Sequence, residues 1–389
     1  RLFINDKLSF QWRKASGRDS LTGSQTQIER ASNESFDIGN NFTTIVRLKN
    51  KSSFNLGLQT QYSTKSAYYY MDNSNIRQDV NSSAFVNSLS SSYQHSFNSR
   101  WSLSITPSVN YTNRVLLSDL ISPLTESDIK LTNNLRMNEI SPKAFIMAEY
   151  HGKKLDLDLI SQIDYNNYLY SGDLQTKKGI LSTNTTMIAK IHLTRLLRLD
   201  LYGTYNLSPT SEQNLYNGVI MNNYKYLTLG SDNIINSSSY YFVTTLSYKE
   251  PVSGFNILAN GMYQFGETHL VDRYFIDDFI VNQYSDELAD FSQWSVNGKI
   301  EKSFYDIGSK VSISVNYSEM YSSINQNGIP YRYKNNVLAP KLEYNGNVTR
   351  WMNIIYTGKY NYNRYFIEDS IDEVPNHTLS QELKLAFYP

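Results

Sequence analysis

The chain has 389 residues, with 36 basic against 36 acidic, 40% hydrophobic and 19% charged, and no cysteine. The balanced charge excludes a nucleic-acid tracker, which carries a basic excess, and the missing cysteine excludes disulfide frameworks and thiolate chemistry. A mean hydropathy of −0.47 and no apolar run near roughly 18–20 residues exclude a helical membrane protein, while 14% aromatic content, including 32 Tyr, excludes a disordered chain.

The chain opens at Arg1-Leu2-Phe3-Ile4 without an initiator Met and stops at Phe387-Tyr388-Pro389 in mid-pattern, which reads as an internal piece of a longer polypeptide. Alternation runs throughout. Trp101, Leu103, Ile105, Pro107, Val109 and Tyr111 are separated by Ser102, Ser104, Thr106, Ser108 and Asn110. Leu155, Leu157, Leu159, Ile163 and Tyr165 form a second row, and Leu197, Leu199, Leu201, Gly203, Tyr205 and Leu207 a third. Phe255 to Phe265 and Val311 to Tyr317 repeat the pattern. Side chains on a strand face opposite ways in turn, so each row sets an apolar face against a polar one. The spacing predicts an all-β chain.

Short turns are predicted near Asn5-Asp6 and at Asn50-Lys51-Ser52, Asn98-Ser99-Arg100, His151 to Lys154, Thr194 to Leu196, Glu250 to Gly254, Asp306 to Ser309 and Asn345 to Val348, where Gly, Asn, Asp and Pro supply the required φ values. Between successive turns lie two strands of about 10–14 residues and a longer polar segment. These segments fall near 15–39, 64–82, 114–139, 170–178, 208–238, 267–291, 319–335 and 363–376. The expectation is about 16 strands with short connections at one end and long ones at the other. That is the layout of a transmembrane antiparallel up-and-down β-barrel. A propeller repeats at similar intervals but fits four short strands where this chain fits two long ones.

Aromatics flank the strands in two groups. Tyr93, Phe97, Trp101, Tyr150, Tyr248, Phe255, Phe304 and Tyr344 lie near the short turns. Tyr62, Tyr111, Tyr165, Tyr205, Tyr263, Phe265, Tyr317, Tyr360 and Tyr362 lie near the long segments. Two belts of this kind are selected by the two lipid–water interfaces. The polar partners are Ser, Thr, Asn, Gln, Asp and Lys, so the interior is expected to hold water, a plug or both.

The strand pairs around Tyr150-His151-Gly152-Lys153-Lys154-Leu155, Ile191-His192-Leu193-Thr194-Arg195-Leu196 and Ser303-Phe304-Tyr305-Asp306-Ile307-Gly308, with Tyr/Asn-rich segments between them, resemble the barrel of Bacteroidota outer-membrane proteins of the TonB-dependent receptor type. The resemblance is one of pattern and composition over nearly all of 1–389. It implies a 22-stranded barrel in the bacterial outer membrane, of which residues 1–389 are part. A plug domain, a TonB box and the remaining strands would then lie outside these residues. It further implies nutrient import, contact with outer-membrane lipid, TonB engaged through the plug, and a surface lipoprotein or other envelope protein as partner. A scaffold barrel in a larger envelope complex and a passive 16-stranded porin are the alternatives.

Chemistry is sparse. His95, His151, His192, His269 and His377 show no metal-ligand spacing, and no nucleophile elbow, phosphate loop or dinucleotide fingerprint occurs. No enzyme activity, cofactor or metal is expected. Two acidic groups, Asp277, Asp278, Asp286, Glu287 and Asp290, then Glu368, Asp369, Asp372 and Glu373, lack EF-hand spacing and read as solvated charge. Tyr68, Tyr69, Tyr70, Tyr216, Tyr224, Tyr226, Tyr331 and Tyr333 share polar segments with Asn residues; flat rings beside amides suit glycan or peptide contact at a barrel mouth, and packing of loop on loop that stiffens the mouth is the alternative.

Overall fold

The computed structural model describes residues 2–21, 27–48, 51–71, 76–121, 130–209, 215–223, 226–276, 279–326, 329–367 and 374–387. The first nine strands are β1 (Leu2–Leu21), β2 (Gln27–Arg47), β3 (Ser52–Met71), β4 (Ile76–Ser96), β5 (Trp101–Ile121), β6 (Thr132–His151), β7 (Leu155–Gly172), β8 (Lys177–His192) and β9 (Leu197–Pro209). Two short strands, β10 (Val219–Asn223) and β11 (Tyr226–Leu229), interrupt the series. It resumes with β12 (Asn236–Glu250), β13 (Phe255–Ile276), β14 (Phe279–Phe304), β15 (Ser309–Gln326), β16 (Ile329–Thr349), β17 (Met352–Ile367) and β18 (Val374–Phe387).

Without β10 and β11 the strands form one antiparallel meander of sixteen, each paired to its neighbour, with β9 joined directly to β12. Among the described residues β1 pairs with β2 and β18 with β17, and the two are the edges of the sheet. No helix among the described residues is long and apolar enough to cross a membrane.

The register explains the alternation. Leu58, Leu89 and Val109 are successive cross-strand partners, as are Ile300, Ile313 and Leu342. All are exposed, Leu89 at 54% and Ile313 at 53%. On the opposite face Ser90 meets Ser108, and Lys299, Ser314 and Lys341 meet in turn. One face is therefore apolar and bare, the other polar. Such a ladder satisfies its backbone internally but leaves a wide apolar surface that water does not favour.

Local chemistry closes the short turns. The Asn98 Oδ1 accepts the N–H groups of Arg100 and Trp101, and the Thr194 Oγ1 those of Leu196 and Leu197. Gly254 and Gly308 sit at φ 69° and 57°, the left-handed region that favours glycine.

Three expectations change. Asn5 and Asp6 are not in a turn; they continue β1, opposite Thr43 and Phe42. Asn345 to Val348 are not a turn either, since β16 runs to Thr349 and the chain reverses at Arg350-Trp351. A Cβ at Gly346 would meet the Tyr344 hydroxyl and the Ser309 Oγ, so this glycine admits side chains instead of a reversal. Most wall strands are also longer than 10–14 residues, reaching 26 in β14, while β9 and β18 have 13 and 14. Much of the expected long segments is paired strand, because hairpins continue past the point where the apolar face ends.

Candidate functional site

Residues 215–223 and 226–235 leave the wall and fold onto the polar face. Leu215, Tyr216 and Ile234 pack with Leu135 and Met137 of β6, Tyr168 and Tyr170 of β7, Leu174 and Ile180. Val219, Met221 and Leu227 pack with Ile76 of β4, Leu120 of β5 and Val281 of β14. β4 and β14 are connected along the meander only through β5, β6, β7, β8, β9, β12 and β13, so the sheet is curled around its polar face. The inserted segment spans the space inside this curl. Its buried side chains stabilise it by roughly 1.5–3 kcal/mol apiece before entropy is charged.

Polar contacts fix its position. The Gln78 Nε2 donates to the Val219 carbonyl at 3.0 Å, and the Met221 N–H donates to the Gln78 Oε1 at 2.6 Å. The Gly218 N–H donates to the Asn133 Oδ1 at 2.7 Å, and the Val219 N–H to the Lys130 carbonyl at 2.9 Å. Lys178 donates to the Asn233 Oδ1 at 2.9 Å and to the Ile234 carbonyl. On the far side β11 pairs in parallel with Ile280–Gln283 of β14. Above Ser292, β14 parts from β15 and takes up this pairing instead.

Two ionisable groups here are shifted. The Asp173 carboxyl is pushed up by burial, but the Lys130 ammonium at 2.7 Å and the Asn134 N–H at 2.5 Å outweigh this and hold it below the ordinary 3.8. Burial pushes the Tyr216 phenol upward, so it stays neutral.

Two cavities adjoin the segment or its anchoring strand. One of about 420 Å³ lies between Leu215 and Ile220 and the inner wall, where Ser63, Lys65, Ser82, Arg114, Leu116, Leu135, Met137 and Tyr170 line it. Another, of about 800 Å³, opens in the wedge between β14 and β15 and is lined by Asp290, Phe291, Tyr321, Arg332, Tyr333 and Phe366 among others.

The expected contact aromatics do not form one site. Tyr68, Tyr69 and Tyr70 lie on β3, not in a loop. Tyr69 packs against the cluster that holds Val219, Met221 and Leu227, and the Tyr68 ring lies 5.4 Å from the Arg77 guanidinium. Tyr216 is buried and Tyr226 is exposed on β11. Tyr331 and Tyr333 lie on β16, where Tyr333 stacks on Tyr365 at 5.6 Å. Tyr224 lies outside the described residues, as do Asp277, Asp278, Glu368, Asp369, Asp372 and Glu373.

The ladders put all nine expected belt residues, Tyr93, Trp101, Tyr150, Tyr248, Phe255, Tyr263, Tyr317, Tyr344 and Tyr360, on the apolar face. Trp101 contacts Tyr150 at 4.7 Å and Tyr248 contacts Phe255 at 6.3 Å near the short turns. Towards the other end Tyr205, Tyr240, Phe265 and Tyr263 run in sequence at 4.9, 4.9 and 5.2 Å. Ten residues separate Trp101 from Tyr111 on β5, about 33 Å at a rise of ~3.3 Å and about 25 Å high once tilted by ~40°.

The polar face also gathers charges at its short-turn end. Glu149, His151 and Asp158 bring one potential ligand atom each within 4.8 Å of one another, and the Ser102 Oγ donates to the Glu149 Oε2 at 2.5 Å. No spacing in the sequence marks this group, because β6 and β7 supply its members through their register. The residues that hold the inserted segment were likewise missed, Gln78, Asn133 and Lys178 above all. The density of apolar residues from Leu215 to Ile235 was the available signal.

No protein-family model and no curated protein matches the chain. Among solved structures it is similar to the ferric yersiniabactin uptake receptor FyuA from Yersinia pestis, at 10% identity over 99% of this chain and 75% of that one, TM-score 0.46. It is also similar to BauA, the ferric preacinetobactin receptor from Acinetobacter baumannii, at 7% identity over 98% and 72%, TM-score 0.45. For the RagAB peptide transporter the values are 13% over 92% of this chain, TM-score 0.43, and the chain spans 51% of its length.

Proposed function

We propose that this chain forms the wall of an outer-membrane transport barrel of the TonB-dependent receptor type, which imports a nutrient. The carrying observation is the segregation of the sheet's two faces. The apolar face bears aromatic rows at both ends and rises about 25 Å between them, the thickness of an outer-membrane hydrocarbon band. The polar face lies inside the curl of the sheet and is crossed by the inserted segment. The nine belt residues are proposed as the interface girdle, and Tyr69 and Tyr333 as ligand-contact aromatics at the mouth. Further strands, a plug that engages TonB, a lipoprotein partner and a Bacteroidota origin belong to the same proposal.

The absence of cysteine makes the test clean. In native membranes Val109→Cys and Ile313→Cys should resist a hydrophilic maleimide, while Ser108→Cys and Ser314→Cys should react. Equal reactivity on both faces defeats the barrel reading. Uptake that persists without TonB restricts the chain to a passive or scaffold barrel.

A further inference from the structure

We propose that the 420 Å³ cavity beneath the inserted segment binds a single-chain amphipathic carboxylate, its alkyl chain against Leu116, Leu135, Met137, Leu215 and Ile220 and its head group at Lys65. The proposal rests on the transport reading and names the class of ligand its interior takes.

Size sets the first limit. The space is close to three times the roughly 150 Å³ that accommodates a benzene and lies within the range of small-molecule sites. A medium-length acyl chain fits such a volume, whereas a folded peptide does not.

The distribution of side chains sets the second. Leu116 of β5, Leu135 and Met137 of β6 and the two residues of the inserted segment make one continuous apolar flank. Ser63 and Lys65 of β3 and Ser82 of β4 make the opposite, polar flank. A wholly polar solute would leave the first flank unmatched, and a hydrocarbon would strip water from the second.

Charge selects the head group. The lining holds Lys65 and Arg114 and no carboxylate. Arg114 is already engaged, so the recognition falls on Lys65, an exposed residue of the lining. An ammonium beside hydroxyls, at the edge of an apolar pocket, favours an anion with its own hydrogen-bond acceptors.

The test uses the full chain in a non-ionic detergent, with a medium-chain carboxylate bearing an aliphatic diazirine as the probe and mass spectrometry to locate the adducts. Adducts are expected on the apolar flank of the cavity. They should be competed by decanoate and not by decyltrimethylammonium or decanol. Lys65→Glu should reduce them about tenfold, and Lys65→Arg should keep them. Adducts on apolar-face residues such as Val109 report detergent-side labelling and should be unchanged by either variant. Cavity adducts that are absent, indifferent to Lys65→Glu, or competed equally by decanol overturn the proposal. Because the cysteine pattern at positions 108, 109, 313 and 314 is read separately, such a result leaves the barrel reading standing; failure of that pattern removes both.

Discussion

Gln78 and Met221 are 143 residues apart, and the side-chain amide of the first completes the backbone hydrogen bonding of the second's strand. Gln78 is fully buried, as is Val219. One amide group thus plays the part of a neighbouring strand for β10, accepting from one N–H and donating to one carbonyl. Buried backbone groups must find partners, and among the described residues β10 pairs along the ladder only with β11. The wall and the inserted segment are linked through this residue as directly as through their apolar contacts.

Gln78→Leu keeps much of the volume and removes both bonds. The Met221 N–H and the Val219 carbonyl are then left buried without partners, at about 1–3 kcal/mol each. Amide exchange at 219–221 should accelerate markedly, while the exchange of β15 and β16, far around the sheet, stays as it was. Unchanged exchange at 219–221 would mean that the apolar contacts alone hold the segment.

A charge placed under the segment should expel it. Met221→Asp and Leu227→Asp bury a carboxylate in an apolar cluster, where an unpaired ion costs several kcal/mol. Both variants should raise single-channel conductance in a planar bilayer, since the segment lies across the space inside the curled sheet. Tyr226→Asp, on an exposed position of the same hairpin, should leave conductance unaltered. Equal conductance in all three would place the resistance to flow elsewhere.

The wall was legible in the sequence and the segment was not, for one physical reason. Rows such as Trp101 to Tyr111 carry strong contrast between successive residues, and that contrast depends only on local alternation. The strand count of sixteen and most of the turns follow from it. Stretches such as 132–139 mix apolar and polar residues on a strand whose polar-face side chains touch the inserted segment, so the contrast fades and the strand ends were placed too early. The inward folding of 215–223 and 226–235 depends on Gln78, Asn133 and Val281, which lie far away in the chain. No local pattern encodes such contacts. Gly346 reads as a turn for a related reason: Ser309 across the ladder and Tyr344 on its own strand, not the backbone conformation, require the missing side chain.

The belts predict how substitution costs vary with depth. Ile105 lies near midway between Trp101 and Tyr111 on the apolar face. Ile105→Arg should destabilise the barrel by about 2–4 kcal/mol, against about 0–1 kcal/mol for Trp101→Arg at the edge of the band. Chemical denaturation of the protein folded into vesicles measures both. Equal costs would deny the belts their place at the interface.

Acid should loosen the segment through Asp173. Its carboxylate holds Lys130 and the Asn134 N–H, and its backbone carbonyl accepts from the Asn217 Nδ2 at 3.2 Å, which ties it to the segment. Burial raises the carboxyl, and the two partners lower it by more, so the folded value lies below 3.8. A depressed acid contributes stability that is full above the unfolded value, about 3.9, and disappears as pH falls through the folded one. A spin label at Ile220→Cys should therefore be immobile and insensitive to pH between 7 and 5. Its mobility should rise only once the pH drops below about 3.8. Asp173→Asn removes the charge that Lys130 holds, so the label should be partly mobile already at neutral pH and this acid transition should be lost. A transition that survives in Asp173→Asn would assign the acid response to another carboxylate.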